Sequence, residues 1–262
     1  MKTEPQQQTR QKQVALFVTC LIDNLRPSIG LSVVKLLERC GYEVIVPPVQ
    51  TCCGQPNYNS GDKKNAQRTA RVVVDAFMDF EYVIIPSGSC GGMIKYHYPD
   101  LLSDDANYSL KARQLAARVY ELSSFLVDIA DYHPGNHAET LQHSGRTVTY
   151  HDACAGLREL GIKQQPRELL VDAGLSIIEM SDPEVCCGFG GTFCIKYPDV
   201  SDAMVNKKIL DAMDTGADAI VTGDLGCLMN MQGKLHRQGV DLPVLHFAEL
   251  LAADVVSNQD TA

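Results

Sequence analysis

Eight of the ten cysteines fall into two sets of four that share almost the same spacing. In each set a single cysteine is followed, after 31 intervening residues, by an adjacent Cys-Cys pair, and a fourth cysteine follows the pair after 36 or 39 residues. The second set begins 134 residues after the first. The two sets are Cys20, Cys52, Cys53 and Cys90, and Cys154, Cys186, Cys187 and Cys227. The chain therefore carries one cysteine-bearing unit twice.

Four thiolates are the usual ligand set of a [4Fe-4S] cluster, so each unit is predicted to bind an iron-sulfur cluster, giving up to two clusters per chain. Structural zinc sites typically use C-x₂₋₄-C pairs that close on one ion, and no C-x-x-C occurs in this sequence. The side chains of adjacent cysteines tend to point apart, which favours bonds to two irons of one cluster. Structural zinc and a metal-free dithiol redox centre are the alternatives.

Glycines lie beside the cysteines of both sets, at Gly54, Gly91, Gly188 and Gly226. A residue without Cβ lets the backbone approach a cluster closely and point its N–H group at sulfur. These four glycines are therefore predicted to contact the cofactor. The alternative is that they only form tight turns at the ends of strands.

Residues outside the two sets are given other roles. Cys40 lies on the apolar face of a predicted helix and is interpreted as a core residue. Cys194 follows the second Cys-Cys pair closely, and it is a further ligand, a redox-active thiol or a buried bystander. With the 134-residue shift, Phe17 is the residue of the first unit equivalent to His151, so the repeat does not require a histidine at this position. We interpret His151 and Asp152 as polar residues that order a loop.

Short apolar runs alternate with helical patterns along both halves. The predicted strands are 14–18, 44–46, 82–85, 148–150, 175–178 and 219–221, and the predicted helices are 27–41, 62–79, 166–173 and 199–215. This alternation predicts an α/β fold of two pseudo-repeated Rossmann-like units with mainly parallel sheets. Each of the eight cysteines follows a strand, so each set is expected at the carboxyl edge of its sheet, where such folds bind ligands.

The duplication predicts two domains of similar size. The predicted segments are a flexible amino terminus at 1–13, a first cysteine-rich unit at 14–139, a second cysteine-rich unit at 140–255 and a tail at 256–262. Near the junction, one long helix is predicted over 110–130, and a linker rich in His, Gly, Asn and Thr is predicted over 131–145.

Charge and composition exclude several classes of partner. The net charge is −9, so the chain lacks the basic surface that nucleic acids or anionic membranes attract, and no nucleic-acid partner is expected. The amino terminus shows no signal peptide and no segment predicts a membrane span. A cytoplasmic location is therefore expected, where cysteines serve metal binding or redox chemistry. The G-x-G-x-x-G, P-loop and G-x-S-x-G motifs are absent from the sequence.

Long stretches of the chain resemble the lactate-utilization protein A family. This family is related to other proteins with cysteine-rich (CCG) domains, namely the cysteine-rich subunit of heterodisulfide reductase and the iron-sulfur subunit of glycolate oxidase. The stretches that carry the resemblance are FVTCLIDNLRPSIG, VVKLLERCGYEV, QTCCGQPNYNSG, PSGSCGGM, TYHDACAGLRELGIKQQPR, CCGFGGTF, KYPDVS and GDLGCLMN. The wider group ends each unit in C-x-x-C. This sequence has Met93 and Asn230 at the final positions, which leaves four cysteines per unit.

The resemblance implies an electron-transfer component of a cytoplasmic complex that oxidises L-lactate to pyruvate. It also implies two companion proteins, one of them a further iron-sulfur protein. Because the chain has no recognisable flavin or nicotinamide motif, we expect that it does not oxidise lactate alone. Two alternatives stay open, a thiol-disulfide reductase subunit with a catalytic cluster and a non-redox structural protein that binds zinc.

Overall fold

The computed structural model describes residues 12–253 of the chain. Within that range the chain forms two four-stranded sheets in which every strand pair is parallel. The predicted α/β class with two similar units is confirmed. Residues 12 and 13 of the predicted amino-terminal segment begin the first strand, and the rest of that segment lies outside the described residues, as does the predicted tail at 256–262.

In the first half, the three strands and two helices predicted before residue 90 begin within two residues of their predicted positions, and the short helices between them were not predicted. Its elements are β1 (Lys12–Leu16), α1 (Cys20–Leu25), α2 (Pro27–Arg39), β2 (Tyr42–Ile45), α3 (Gln55–Asn59), α4 (Lys63–Phe77), β3 (Val83–Ile85), α5 (Gly88–Gly92), α6 (Tyr98–Leu101), α7 (Ser109–Ala116), β4 (Val119–Glu121) and α8 (Leu122–Ser124). Two π-helical turns, Met93–His97 and Phe125–Ile129, follow α5 and α8. The helix α2 begins at Pro27, which suits a first turn, and the chain then turns at Gly41 with φ +81°.

The second half repeats this order. After short 3₁₀ turns at Pro134–Asn136 and Thr140–His143, its elements are β5 (Thr147–His151), α9 (Cys154–Arg158), α10 (Gln165–Asp172), β6 (Ser176–Ile177), α11 (Phe193–Lys196), α12 (Pro198–Asp214), β7 (Ala219–Thr222), α13 (Leu225–Arg237), β8 (Val244–His246) and α14 (Phe247–Ala252). The strand orders are β2-β1-β3-β4 and β6-β5-β7-β8. The two sheets therefore have the same topology.

The long helices of the two halves also bury equivalent positions. In α4 the buried residues are Ala66, Ala70, Val73, Val74 and Phe77, and in α12 they are Ser201, Val205, Lys208, Ile209 and Ala212. Each position in α12 lies 135 residues after its equivalent, one more than the shift between the cysteine sets. The duplication therefore extends from the cysteine loops into the cores of both units.

The predicted helix over 110–130 is wrong. The helix α7 ends at Ala116, and Val119 to Glu121 form β4, which pairs in parallel with β3. A strand of three residues is too short to show its own periodicity, so the apolar residues on either side of it continue a helical pattern. The equivalent strand of the second half, β8, was not predicted either.

The two halves pack directly against each other. The helix α5 contacts α9, and α1 contacts α13. The approach of α5 to α9 requires glycine at position 88, because a Cβ on Gly88 would lie 2.7 Å from the Cα of Gly156. An apolar core extends across the junction and includes Leu126 of the first half and Val148 of the second. The domain boundary between residues 139 and 140 stays a prediction.

Within residues 12–253, no helix combines the length and the apolar character that crossing a lipid bilayer requires.

Candidate metal centres

The first set of cysteines comes together at the carboxyl edge of the first sheet. Cys20 begins α1 directly after β1, the Cys52-Cys53 pair lies between β2 and α3, and Cys90 lies in α5 after β3. The thiols interact in series: Cys52 accepts hydrogen bonds from Cys20 and Cys53, and Cys53 also interacts with Cys90. All four cysteines also line one cavity of about 250 Å³.

The second set has the same arrangement. Cys154 begins α9 after β5, Cys186 and Cys187 lie between β6 and α11, and Cys227 lies in the first turn of α13 after β7. Hydrogen bonds again join the thiols in sequence order. The structure therefore brings together both predicted quartets, although the first and last cysteine of the second set are 73 positions apart in the sequence.

One thiol in each quartet is strongly acidified. The hydrogen bond from Cys20 and a further bond from Cys53 lower the pKa of Cys52 to about 3, and the equivalent bonds from Cys154 and Cys187 lower the pKa of Cys186 to about 2. The neighbouring thiols that donate these bonds have raised pKa values. Without a cation, a quartet therefore favours one thiolate, and binding a metal is what would allow all four sulfurs to ionise.

Backbone N–H groups support the acidified sulfurs. Gly54 donates to Sγ of Cys52 at 3.4 Å and Gly188 donates to Sγ of Cys186 at 3.3 Å. The φ angles of the two glycines are +83° and +85°, a conformation that residues with a Cβ rarely adopt. A pattern of Cys-Cys-Gly thus builds the same sulfur-binding turn in both halves.

The other two predicted glycines use their N–H groups elsewhere. Gly91 donates to the carbonyl of Ser87, and Gly226 donates to Oδ1 of Asp224 at 3.1 Å. Gly226 also makes room for the ring of Phe189, which a Cβ at this position would approach to 2.4 Å. Any contact of Gly91 and Gly226 with a cofactor stays a prediction.

A second cavity, of about 360 Å³, lies between the halves next to the second quartet. It is lined by Cys154 and Cys227 and also by residues of the first half, including Met93 and His97. Both cavities share the lining residues Gln55, Ser89, Phe189, Gly191 and Asp224. The two quartets therefore flank one interface between the units.

Several residues that hold the cysteine loops were not predicted. The hydroxyl of Tyr98 donates to the carbonyl of Cys53 at 2.8 Å, and Nδ2 of Asn230 donates to the carbonyl of Cys187 at the same distance. Each bond ties a Cys-Cys pair to the helical segment that follows the fourth cysteine. Met93, which has the position equivalent to Asn230, is fully buried in the core of the first half.

The segment before Cys154 is held by a buried ion pair. Arg167 donates from both Nη atoms to the carboxylate of Asp152, at 2.8 and 2.9 Å, and from Nε to Glu179. The Asp152 side chain is only 1% exposed. Asp152 thus has the loop-ordering role that the sequence predicted for the His-Asp pair, while Arg167 was not foreseen, because it lies 15 residues after its partner.

Next to Asp152, His151 contacts none of these polar groups through a hydrogen bond. It is fully buried, and burial lowers the pKa of its imidazole to about 3, so the ring is neutral. A ring nitrogen of His151, Sγ of Cys187 and Sγ of Cys227 lie within 4.8 Å of one another. The sequence places this histidine three residues before Cys154, but only the structure shows its closeness to Cys187 and Cys227.

The remaining two cysteines stand apart from the quartets. Cys40 follows the last turn of α2 and packs against the core, and burial raises its pKa to about 12. Cys194 lies in α11, where its thiol donates to the carbonyl of Gly191 at 3.3 Å. The eight repeated cysteines thus form the two places where thiol sulfurs converge in the described part of the chain, and such donor sets suit soft metal ions.

Comparison with known proteins supports the same conclusion. The sequence profile of the cysteine-rich (CCG) domain matches residues 14–95 and 148–232. Lactate utilization protein A 2 of Bacillus cereus (strain AH820) is 41% identical over 241 residues, which are 92% of this chain and 98% of that protein. Lactate utilization protein A of Oceanobacillus iheyensis is 43% identical over 240 residues, 91% of this chain and 96% of the relative.

Among solved structures, a hypothetical protein from Helicobacter pylori shares the fold with a TM-score of 0.62. The two chains are 15% identical, and the match covers 95% of this chain and 50% of the other. This likeness concerns the fold alone, and the chain spans about half the length of that structure. On the sequence similarity, the chain belongs to the lactate utilization protein A family and contains two cysteine-rich domains.

Proposed function

We propose that the protein is an iron-sulfur electron-transfer component of a cytoplasmic system that oxidises L-lactate to pyruvate. The observation that carries this proposal is the presence of two cysteine quartets on either side of one interface within a chain of the lactate utilization protein A family. Two redox centres that face each other in one subunit are suited to passing electrons along it.

The residues fit this role. Cys20, Cys52, Cys53 and Cys90 would hold one [4Fe-4S] cluster, and Cys154, Cys186, Cys187 and Cys227 would hold the other. Each cluster, when bound, supplies reversible one-electron chemistry. The N–H groups of Gly54 and Gly188 point at sulfur and so stabilise the added negative charge, which raises the reduction potential.

The chain offers little for the oxidation of lactate itself. Its sequence contains no recognisable flavin or nicotinamide motif. We therefore propose that two companion proteins, one of them a further iron-sulfur protein, complete the system, and that the bond-breaking steps occur on a companion or at its interface with this chain. The family name of its relatives supports a role in lactate utilization, and the division of work among the subunits is our proposal.

Metal analysis after anaerobic purification tests the cofactor. We expect iron and acid-labile sulfide at the level of about two [4Fe-4S] clusters per chain, with absorption near ~400 nm from sulfur-to-iron charge transfer. Stoichiometric zinc without sulfide would instead support the structural alternative, because zinc has a closed d shell and gives no such absorption.

Electron transfer is tested by mixing the loaded chain with L-lactate. We expect no turnover with a dye acceptor when the chain is alone, and reduction of its clusters when the companion proteins are added. Lactate oxidation by the single loaded chain would contradict the proposal.

A thiol-disulfide reductase is the second candidate function. It is favoured by the 360 Å³ cavity, which reaches Cys154 and Cys227 and has room for a small ligand. This candidate predicts that a disulfide or a free thiol changes the spectrum of a cluster. If the protein is only an electron relay, neither compound should change that spectrum.

A further inference from the structure

The strongest unexplained feature near the quartets is His151. It is the last residue of β5, three residues before Cys154, and it is completely buried. Neither Nδ1 nor Nε2 has a hydrogen-bond partner within residues 12–253. Leaving a buried polar group without a partner costs about 1–3 kcal/mol, so an unpartnered imidazole at this place needs a reason.

Packing does not supply that reason. The equivalent residue of the first half is Phe17, which fills the same place at the end of β1 and packs its ring on Phe77 with centroids 5.4 Å apart. A phenylalanine side chain thus fills this position of the fold without burying any polar atom. The second half keeps an imidazole there, although the adjacent Asp152 already orders the loop through Arg167.

The surroundings of His151 supply a chemical reason. One of its ring nitrogens and the sulfurs of Cys187 and Cys227 lie within 4.8 Å of one another. A metal ion binds imidazole nitrogen at about 2.0–2.1 Å and thiolate sulfur at about 2.3 Å, so an iron bound to one of these sulfurs lies within reach of the imidazole nitrogen.

The two halves differ again at the neighbouring helix. Lys208 of α12 is buried where the equivalent residue of α4 is Val73. Its ammonium group donates to the carbonyl of Asp182 at 2.5 Å and to that of Pro183 at 3.3 Å, in the loop that leads to Cys186. The N–H groups of Lys208 therefore donate to carbonyls of the loop. Neither ring nitrogen of His151 has a hydrogen bond to this lysine. The second quartet thus lies in a more polar pocket than the first.

We propose that His151 coordinates iron in the second centre, on the side of Cys187 and Cys227, as a fifth protein donor that the first centre lacks. This inference rests on the proposed function, since it requires an iron centre at the second quartet. Imidazole is a neutral ligand, so it adds a nitrogen donor to the second centre without changing the charge of its four thiolates. The two centres of this chain are therefore chemically different in their protein donors.

Nitrogen hyperfine coupling tests the bond directly. The full-length chain is labelled with ¹⁵N-histidine, loaded anaerobically, reduced with dithionite and measured by pulsed electron paramagnetic resonance. A Cys20→Ser variant, which lacks one ligand of the first quartet, isolates the signal of the second centre. We expect a strong ¹⁵N coupling that is lost in His151→Phe, which installs the residue of the first half, and is kept in His143→Gln.

Each other result overturns the inference. A second-centre signal without nitrogen coupling, or with only the weak coupling of a hydrogen bond, excludes coordination, and so does a strong coupling that survives in His151→Phe. If His151→Phe does not fold, His151→Gln takes its place, and the wild-type spectrum alone still decides. Iron and sulfide bound without nitrogen coupling refute only the role of His151, whereas absence of iron refutes the proposed function as well.

Discussion

Ser87 donates its hydroxyl to Oδ2 of Asp224 at 2.9 Å, and this buried bond joins equivalent residues of the two halves. Each of them lies three residues before the fourth cysteine of its quartet and caps the helix that carries that cysteine. The N–H group of Ser89 donates to the same carboxylate oxygen at 3.1 Å. The two quartets are thus linked through the caps of their own helices.

Asp224→Ala removes this link. It leaves the donors of Ser87, Ser89 and Gly226 without their acceptor, and because each unsatisfied buried donor costs about 1–3 kcal/mol, we expect a loss of about 3 kcal/mol in the free energy of unfolding. Urea unfolding measures this loss. The control is Asp202→Ala, which removes a surface ion pair with Lys234 and should cost less than about 1 kcal/mol. Equal losses in both variants would show that the bonds to Asp224 stabilise the fold no more than the ion pair of Asp202 does.

Gly88→Ala tests the close contact of α5 with α9. Its Cβ would lie 2.7 Å from Cα of Gly156, and since backbone atoms cannot move aside cheaply, we expect a loss of about 1–3 kcal/mol. The matched control is Gly233→Ala in α13, where the nearest atom is the flexible end of Arg237 at 3.4 Å and alanine favours the helix. The midpoint temperature of thermal unfolding should therefore fall for Gly88→Ala, and it should stay the same or rise for Gly233→Ala.

Cysteine variants test the assignment of ligands. Cys53→Ser and Cys187→Ser should each lower the iron content by roughly one cluster per chain, because a hydroxyl is a poor replacement for thiolate. Cys40→Ser should leave the iron content unchanged, since Cys40 packs on the core. Iron analysis of the three proteins decides between the roles. A chain that keeps all its iron after both ligand substitutions would refute the quartets as cluster sites.

The sequence predicts the quartets because two independent signals agree, the repeated spacing of the cysteines and their positions at the ends of apolar runs. It misses β4 and β8 because strands of three residues show no periodicity of their own. It also misses the bond between Ser87 and Asp224, since no local pattern reports a contact between residues 137 positions apart. His151 was visible as a departure from Phe17, but only burial and the nearby sulfurs give that departure a chemical meaning.

Arg167→Met tests the ion pair before Cys154. The variant leaves the Asp152 carboxylate buried without its cation, which typically costs about 3–5 kcal/mol in the free energy of unfolding. The comparison is Lys163→Met, which removes an exposed pair with Glu184 and should cost less than about 1 kcal/mol. Denaturant unfolding of both variants under identical conditions gives the two values. Similar small losses would show that water reaches Asp152.

Glu121→Gln tests a buried carboxyl group that caps α8. Its oxygen accepts bonds from the N–H groups of Ser123 and Ser124, yet burial raises the pKa of Glu121 from 4.5 to about 7. The folded protein therefore holds this proton more tightly than the unfolded chain does. The stability that the proton provides is fully present below pH 4.5 and is lost as the pH rises to about 7, and the pKa difference is worth about 3 kcal/mol.

Glutamine is neutral at every pH, so the side chain introduced by Glu121→Gln does not lose this contribution. The difference between the unfolding free energies of the variant and the wild type should therefore move in favour of the variant by up to about 3 kcal/mol between about pH 5 and pH 8. Urea unfolding at both pH values measures the change, and taking the difference removes the titration of all other groups. A difference that stays constant with pH would show that Glu121 is already ionised in the folded protein, because the hydrogen bonds from Ser123 and Ser124 then outweigh the cost of burying its charge.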